Sequence, residues 1–262
     1  MAGTGAAVPG GGPAPRLSVV IPAYNEAGRL PATLERVVAY LRESGRWLPA
    51  EVVVVDDGSS DATAEVAAAV PAAAGLSCRA VRHERNRGKG AAVRTGFAAS
   101  RGALVLLSDA DLSSPIAEVE RLAGAAGPGS VAVGSRAVDR ALITIRQPLH
   151  RDLMGRTFNG LTRVLGLSGL HDTQCGFKLF PGPLARALAG VQRLDGFAYD
   201  VELLLLARRW GFAVREVGVR WDHVEASRVA PLTHSPQMLL DLLRLAAWRL
   251  TGRLPARPSG LR

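Results

Sequence analysis

Residues Ala103 to Asp111 read ALVLLSDAD, an apolar run that ends in Ser108-Asp109-Ala110-Asp111. A short run without polar alternation predicts a strand buried on both faces, as in a parallel sheet. The same design recurs upstream. Leu17 to Ile21 (LSVVI) leads into Pro22-Ala23-Tyr24-Asn25-Glu26, and Glu51 to Val55 (EVVVV) leads into Asp56-Asp57-Gly58-Ser59-Ser60-Asp61. Cys78–Arg82 and Ser130–Gly134 predict further strands. Between them, Leu30, Leu34, Val37, Val38 and Leu41 recur at helical spacing, and helices are expected near Asp61–Val70 and over Gly90–Ser100. Alternating strands and helices predict an α/β domain with a mostly parallel central sheet and helices on both faces.

Ligands of such sheets sit outside the carboxyl ends of the strands. The acidic clusters fall there, and carboxylates are costly to gather unless cations or hydrogen-bond donors meet them. Asp109 and Asp111 flank one small residue, Ala110, at a strand end. Two hard oxygen donors in that position suit Mg²⁺ or Mn²⁺ with ligand positions left for a diphosphate. By itself a D-x-D tripeptide also fits a turn, with Asp111 as a cap; the preceding apolar strand and the neighbouring acidic strand ends favour the metal. Asp61 is expected to cap the next helix, and Gly58 to permit a tight turn. Arg85-Asn86-Arg87-Gly88-Lys89-Gly90 opens a helix, where backbone N–H groups and a cation could meet a phosphate or base, with a plain basic turn as the weaker competing reading. It is not a P-loop.

The second half differs. A helix is expected over His150–Leu165, a polar loop over His171–Phe180, a helix near Tyr199–Trp210 and a strand near Val214–Arg220. The segment from Pro236 to Leu254 is amphipathic, with Leu239, Leu242, Leu243, Ala246 and Leu250 on one stripe, Arg244, Arg249 and Arg253 along it, and Trp248 suited to an interface. Residues 1–15 are low in complexity and are expected to form a disordered tail, 16–235 a single catalytic domain, and 236–262 a basic amphipathic helix and tail.

Composition bounds the classes. Apolar residues make up 48% of the 262-residue chain, which excludes a disordered protein. The net charge of +9 favours anionic partners, but without a long Lys/Arg run and with 5% aromatic residues a nucleic-acid binder is not expected. Cys78 and Cys175 form no metal spacing and suggest a reducing compartment. No stretch of eighteen apolar residues predicts a transmembrane helix, and no secretory signal is visible.

Four motifs together resemble glycosyltransferase family 2. They are Val20-Ile21-Pro22-Ala23-Tyr24-Asn25-Glu26, Val54-Val55-Asp56-Asp57-Gly58-Ser59, Asn86-Arg87-Gly88-Lys89-Gly90 and Asp109-Ala110-Asp111. Later motifs resemble its dolichyl- and polyprenyl-phosphate glucosyltransferase branch: Val133-Gly134-Ser135-Arg136, Asp172 to Phe180, Phe197 to Glu202, and Trp221-Asp222-His223 followed by Ser227-Arg228-Val229. The resemblance implies a GT-A, Rossmann-like fold and an inverting transfer of glucose from UDP-glucose to a polyprenyl or dolichyl phosphate. GDP-mannose, a soluble or glycan acceptor, or a non-catalytic nucleotide-sugar scaffold are the alternatives. Pro22, Tyr24, Glu26, Asp57, Lys89, Ala110, Arg136 and Gln174, with Asp109 and Asp111, would hold the donor. Asp109, Asp111, Asp172, Asp200 and Arg151 would be catalytic, Asp172 and Asp200 as candidate bases; Asp200 reads equally as a helix cap. Arg146, Arg151, Lys178 and Arg228 would meet the acceptor phosphate, among a wider set of cations that includes Arg136 and Arg140. Asp109, Asp111 and His223 would be metal ligands. The chain would work at the cytoplasmic face of the membrane as a peripheral protein, and a homo-oligomer is left open. It departs from eukaryotic members in lacking an N-terminal anchor, and from many bacterial ones in lacking C-terminal membrane helices.

Overall fold

The computed structural model describes residues 13–70, 73–127, 129–145, 158, 160–222 and 231–261. Three apolar segments form adjacent parallel strands: β1 (Leu17–Ala23), β2 (Ala50–Asp56) and β3 (Leu76–Arg82). The decisive run forms β4 (Leu104–Leu107), parallel to β1 on its other side. Four further strands follow: β5 (Ser130–Ser135), β6 (Ile143–Ile145), β7 (Lys178–Pro181) and β8 (Ala213–Gly218). The sheet runs β3-β2-β1-β4-β7-β5-β8, with β7 antiparallel to both neighbours and β8 parallel to β5. β6 pairs apart from it with a two-residue β9 (Trp221–Asp222).

The sheet is covered on both faces, as its unbroken apolar strands require. Val20, Val53 and Val55 face one core with Phe97 and Leu203; Val19, Ile21, Val52 and Val54 face another with Leu34, Val37 and Leu41. The second core takes α1 (Leu30–Ser44), whose Leu30, Leu34, Val37 and Leu41 are buried at the expected spacing, and α4 (Val119–Ala125); a short α2 (Thr63–Ala68) follows β2. The first core takes α3 (Lys89–Ala99), α5 (Gly182–Ala189), α6 (Tyr199–Arg209) and part of α7 (Pro231–Leu250).

Chain order places β2 and β3 on one side of β1 and β4 on the other. This reversal puts a crevice between the carboxyl ends of β1 and β4, where such sheets bind ligands.

Three expectations change. The loop predicted over His171–Phe180 ends in β7, which opens with Lys178, fully buried and paired with Asp200. A buried lysine looks like loop chemistry until its partner is known. The C-terminal helix begins at Pro231, and its predicted stripe divides: Leu242 is buried, while Leu239, Leu243 and Leu250 are exposed and Leu240 joins them. Trp248 packs partly against the core with the Arg193 guanidinium 5.0 Å from its ring centroid, so it is not turned outward. The helix expected over 150–165 falls mostly on residues outside those described, and residues 163–167 form a π-turn. At the other end, the Pro15 carbonyl already accepts a hydrogen bond from Ala103 N–H. No helix among the described residues is long and apolar enough to cross a membrane.

Candidate active site

β1, β2 and β4 end side by side, with Ala23 opposite Asp56 and Val20 opposite Leu107. The loops that follow therefore share one edge. After β1, Tyr24 is 40% exposed at this edge. Asn25 sits at φ 54°, and its side-chain oxygen accepts from Ser60 N–H at 2.9 Å, tying the first loop to the second. Buried Glu26 holds Arg29, with Nη2 to Oε1 at 2.7 Å. That hydrogen bond, opposed by burial and aided by Asp111 and Asp109, raises the Arg29 pKa. Arg29 was not picked out in the sequence. Its signal is a cation three residues after Glu26, which the helix start turns back toward the aspartate pair.

The second loop turns at Gly58, as expected: φ is 71°, and a Cβ would stand 2.3 Å from the Arg85 carbonyl carbon. Asp57, expected to hold the nucleoside, is bonded within the protein. One of its oxygens takes His83 Nδ1 at 2.6 Å and Arg87 N–H at 3.0 Å, and the other takes Gly88 N–H at 2.8 Å. The carboxylate thus builds the basic loop. The amino end of α3 also differs from a phosphate cradle, because Gly90 and Ala91 N–H donate to the Asp195 carbonyl, at 2.8 and 3.3 Å. What this loop offers the crevice is the Lys89 ammonium.

Lys89 Nζ lies 2.6 Å from Asp109 Oδ1. Burial alone would raise the Asp109 pKa, but Lys89 outweighs it and holds the carboxyl below its ordinary range. Lys89 is held above its own ordinary value: burial lowers it, and Asp109 and then Asp200 more than compensate. Asp111 accepts from Ser113 N–H at 2.9 Å across a turn with Leu112 at φ 47°. Gly176 comes so close to Asp109 that a Cβ would stand 2.0 Å from Oδ2. Ser108, Asp109, Ser113, Cys175, Gly176 and Trp221 are among the residues lining a shallow cleft here.

Two more carboxylates complete the floor, each with its own cation. Asp172 takes Arg136 in a fork, Nε to Oδ2 at 2.6 Å and Nη2 to Oδ1 at 2.8 Å, and Arg136 also stands 5.4 Å from the Trp221 ring centroid. Burial pushes Asp172 up, but Arg136 prevails and its pKa is lowered. A depressed, forked carboxylate makes a poor general base, so Asp172 is a counter-ion to Arg136. Gln174 N–H donates to the same carboxylate at 3.2 Å. Asp200 lies inside the first turn of α6 rather than at its cap, with Oδ1 2.5 Å from Lys178 Nζ. Burial raises Asp200, while Lys178 and Lys89 oppose it. Lys178 also donates to the Cys175 carbonyl at 2.6 Å and is 0% exposed, so it is not the acceptor-facing cation expected.

The structure brings Pro22, Tyr24, Glu26, Asp57, Lys89, Asp109, Ala110 and Asp111 to the ends of β1, β2 and β4 and the loop that packs on them. Arg136, Asp172 and Gln174 meet at the end of β5. Arg146, Arg151, His223 and Arg228 lie outside the described residues. The backbone N–H of Asp222 donates to the Ser113 carbonyl at 2.8 Å, so β9 passes beside the Asp111 turn. No three of His, Cys, Asp and Glu converge on a metal-sized centre among the described residues.

Known proteins agree with this architecture. The family described as "Glycosyl transferase family 2" matches residues 18–185. The chain is 36% identical to the dolichyl-phosphate beta-glucosyltransferase of Homo sapiens, over 92% of this chain and 78% of that one. Its fold matches mannosyl-3-phosphoglycerate synthase from Rubrobacter xylanophilus with a TM-score of 0.66 at 20% identity, covering 95% and 79% of the two chains. It also matches Mycobacterium tuberculosis glucosyl-3-phosphoglycerate synthase crystallised with Mn²⁺, UDP-glucose and phosphoglyceric acid. There the TM-score is 0.60 at 23% identity, covering 89% and 80%. The crevice at β1 and β4, the aspartate pair beside it and these matches make the chain a GT-A glycosyltransferase that belongs to glycosyltransferase family 2, on its dolichyl-phosphate glucosyltransferase branch.

Proposed function

We propose that the chain transfers glucose from UDP-glucose to a polyprenyl phosphate, with inversion at the anomeric carbon. One observation carries the choice of acceptor. Each described carboxylate the site could use as a base, apart from the turn-bound Asp111, is already matched by a cation: Asp109 by Lys89, Asp172 by Arg136 and Asp200 by Lys178. A hydroxyl acceptor needs a base to take its proton. A phosphate monoester, with a second pKa near ~6, is largely dianionic at neutral pH and needs none. A site in which these described carboxylates are held in ion pairs suits the phosphate.

The donor diphosphate fits the crevice beside Asp109 and Asp111, with Lys89 and Arg29 as the nearest cations. The donor set is two hard carboxylate oxygens, which fit Mg²⁺ or Mn²⁺ when substrate oxygens complete the shell. A divalent ion held by Asp109 and Asp111 would supply Lewis-acid stabilisation of the departing diphosphate. Lys89 would add a fixed positive charge where that leaving group develops negative charge. Tyr24, exposed beside Pro22 and the Asn25–Ser60 link, offers a ring face to the nucleoside. Arg136, held by Asp172 and standing over the ring of the cleft residue Trp221, would meet the sugar.

The test is incubation of purified protein with UDP-glucose or GDP-mannose and one of three acceptors: a polyprenyl phosphate, the matching polyprenol, or 3-phosphoglycerate. Products are read by mass. Glucosyl polyprenyl phosphate as the main product is expected. Equal transfer to the neutral alcohol, or transfer to 3-phosphoglycerate alone, rejects the reading.

A further inference from the structure

We propose that the outward face of α7 is a docking surface for an anionic lipid bilayer. The proposal deepens the reading of a lipid-phosphate acceptor and takes its purpose from it, but it is tested by binding alone.

A helix that only completes a core needs one apolar stripe. This one has two, on opposite sides. Met238, Leu242 and Leu245 turn inward and are 8%, 3% and 0% exposed. Leu239, Leu240, Leu243 and Leu250 turn outward and are 48%, 51%, 59% and 87% exposed. Pro236 and Ala247 are exposed with them. At about 100° per residue, these outward positions share an arc of about 100° along the helix. Folding does not explain that second stripe, and contiguous exposed apolar surface marks a binding face.

Charge selects the occupant. Arg244 lies on one flank of the outer stripe and exposed Arg253 just past the helix end, while the Arg249 guanidinium turns back against Gly166. Leucines bordered by Arg244 and Arg253, on a chain of net charge +9, complement a surface that is apolar below and negative at the headgroups. A second copy of the chain is a poorer fit: a strip one helix wide offers a few hundred Å² at most, against about 800 Å² per partner in a standard interface.

The inner stripe makes this face a fixed platform. Asp241, 3% exposed and bonded to Arg244 at 2.8 Å, lies beside Gly196. Gly196 follows Asp195, whose carbonyl caps the helix that begins with Lys89. Seating α7 among headgroups would therefore set the crevice at a constant distance from the bilayer.

The test uses the full chain in co-sedimentation with vesicles of phosphatidylcholine, alone or mixed with phosphatidylglycerol. Wild type is expected to bind the mixed vesicles, less so at high salt. A Leu239→Ser/Leu243→Ser/Leu250→Ser variant, with its melting temperature checked, is expected to bind about tenfold more weakly. Arg253→Ala is expected to weaken binding about fivefold on anionic vesicles only. Three results overturn the proposal: a wild type that ignores vesicles, a folded triple variant that binds as well as wild type, or a dimer in sedimentation velocity that the triple variant dissociates. Vesicle binding that follows this pattern without any lipid product leaves the docking face standing and rejects the acceptor. Transfer to detergent-dispersed polyprenyl phosphate by a protein that ignores vesicles does the reverse.

Discussion

Lys89 Nζ stands 2.6 Å from Asp109 Oδ1, joining the start of α3 to the end of β4 at the edge of the crevice. Neither residue is a surface ornament. The ammonium keeps Asp109 ionised in a partly buried position, beside the place where the proposed metal and departing diphosphate would sit. The opposite wall is the backbone of Gly176, which leaves the carboxylate no room to retreat.

Asp111→Asn is expected to abolish most transfer while leaving the melting temperature within about 2 °C, since the turn keeps its side-chain acceptor for Ser113 N–H. Full activity of this variant in the presence of chelator would reject the metal assignment.

Gly176→Ala tests the same centre from the other side. The added methyl must displace the Asp109 carboxylate or the strand that carries it. Transfer should fall at least about a hundredfold with the far-UV circular dichroism unchanged, as a displacement of about 1 Å suffices for such a loss. Full activity in the Gly176→Ala variant would show that the carboxylate position is not critical.

Asp57→Ala should cost both stability and donor affinity. It strips the acceptor from Arg87 and Gly88 N–H and from His83, and unmatched buried donors cost about 1–3 kcal/mol each. We expect a melting temperature lower by about 5–10 °C and UDP binding weaker by at least about tenfold, because the loop that aims Lys89 loosens. Calorimetry showing wild-type UDP affinity would remove Asp57 from the donor site.

Lys178→Met leaves Asp200 as a lone buried carboxylate and should destabilise the protein by about 3–5 kcal/mol. Adding Asp200→Leu should recover most of that loss. If the double variant is no more stable than the single one, the pair is not the source of the cost. An acceptor-phosphate role would instead show as normal stability with a raised acceptor KM.

Asp172→Asn has a pH signature. Arg136 holds the folded carboxyl below its ordinary value, so its contribution to stability is present above the unfolded pKa of about 3.9 and disappears as pH falls through the lower folded value. The variant should therefore melt below wild type from about pH 7 down to about pH 4, and the gap should close at more acid pH. A gap that stays unchanged well below about pH 4 would mean that the Arg136 pair does not set it.

Much of this protein was legible in its sequence. Unbroken apolar runs such as EVVVV and ALVLL report burial on both faces, a property each residue carries with it, and so they locate β1, β2 and β4 and the acidic turns after them. Gly58 and the Leu30–Leu41 period were equally local. What the folded chain decided was partnership. Arg136 meets Asp172 across 36 residues of sequence, and Asp57 meets Gly88 across 31, because the sheet order carries distant segments to one edge. Nothing local marks Lys178 as buried until Asp200 is beside it, nor α3 as capped until the Asp195 carbonyl arrives. The apolar pattern of α7 shows that the helix has leucines to bury; which of them the core takes, and which are left facing outward, depends on how the helix is rotated against the sheet layer it covers.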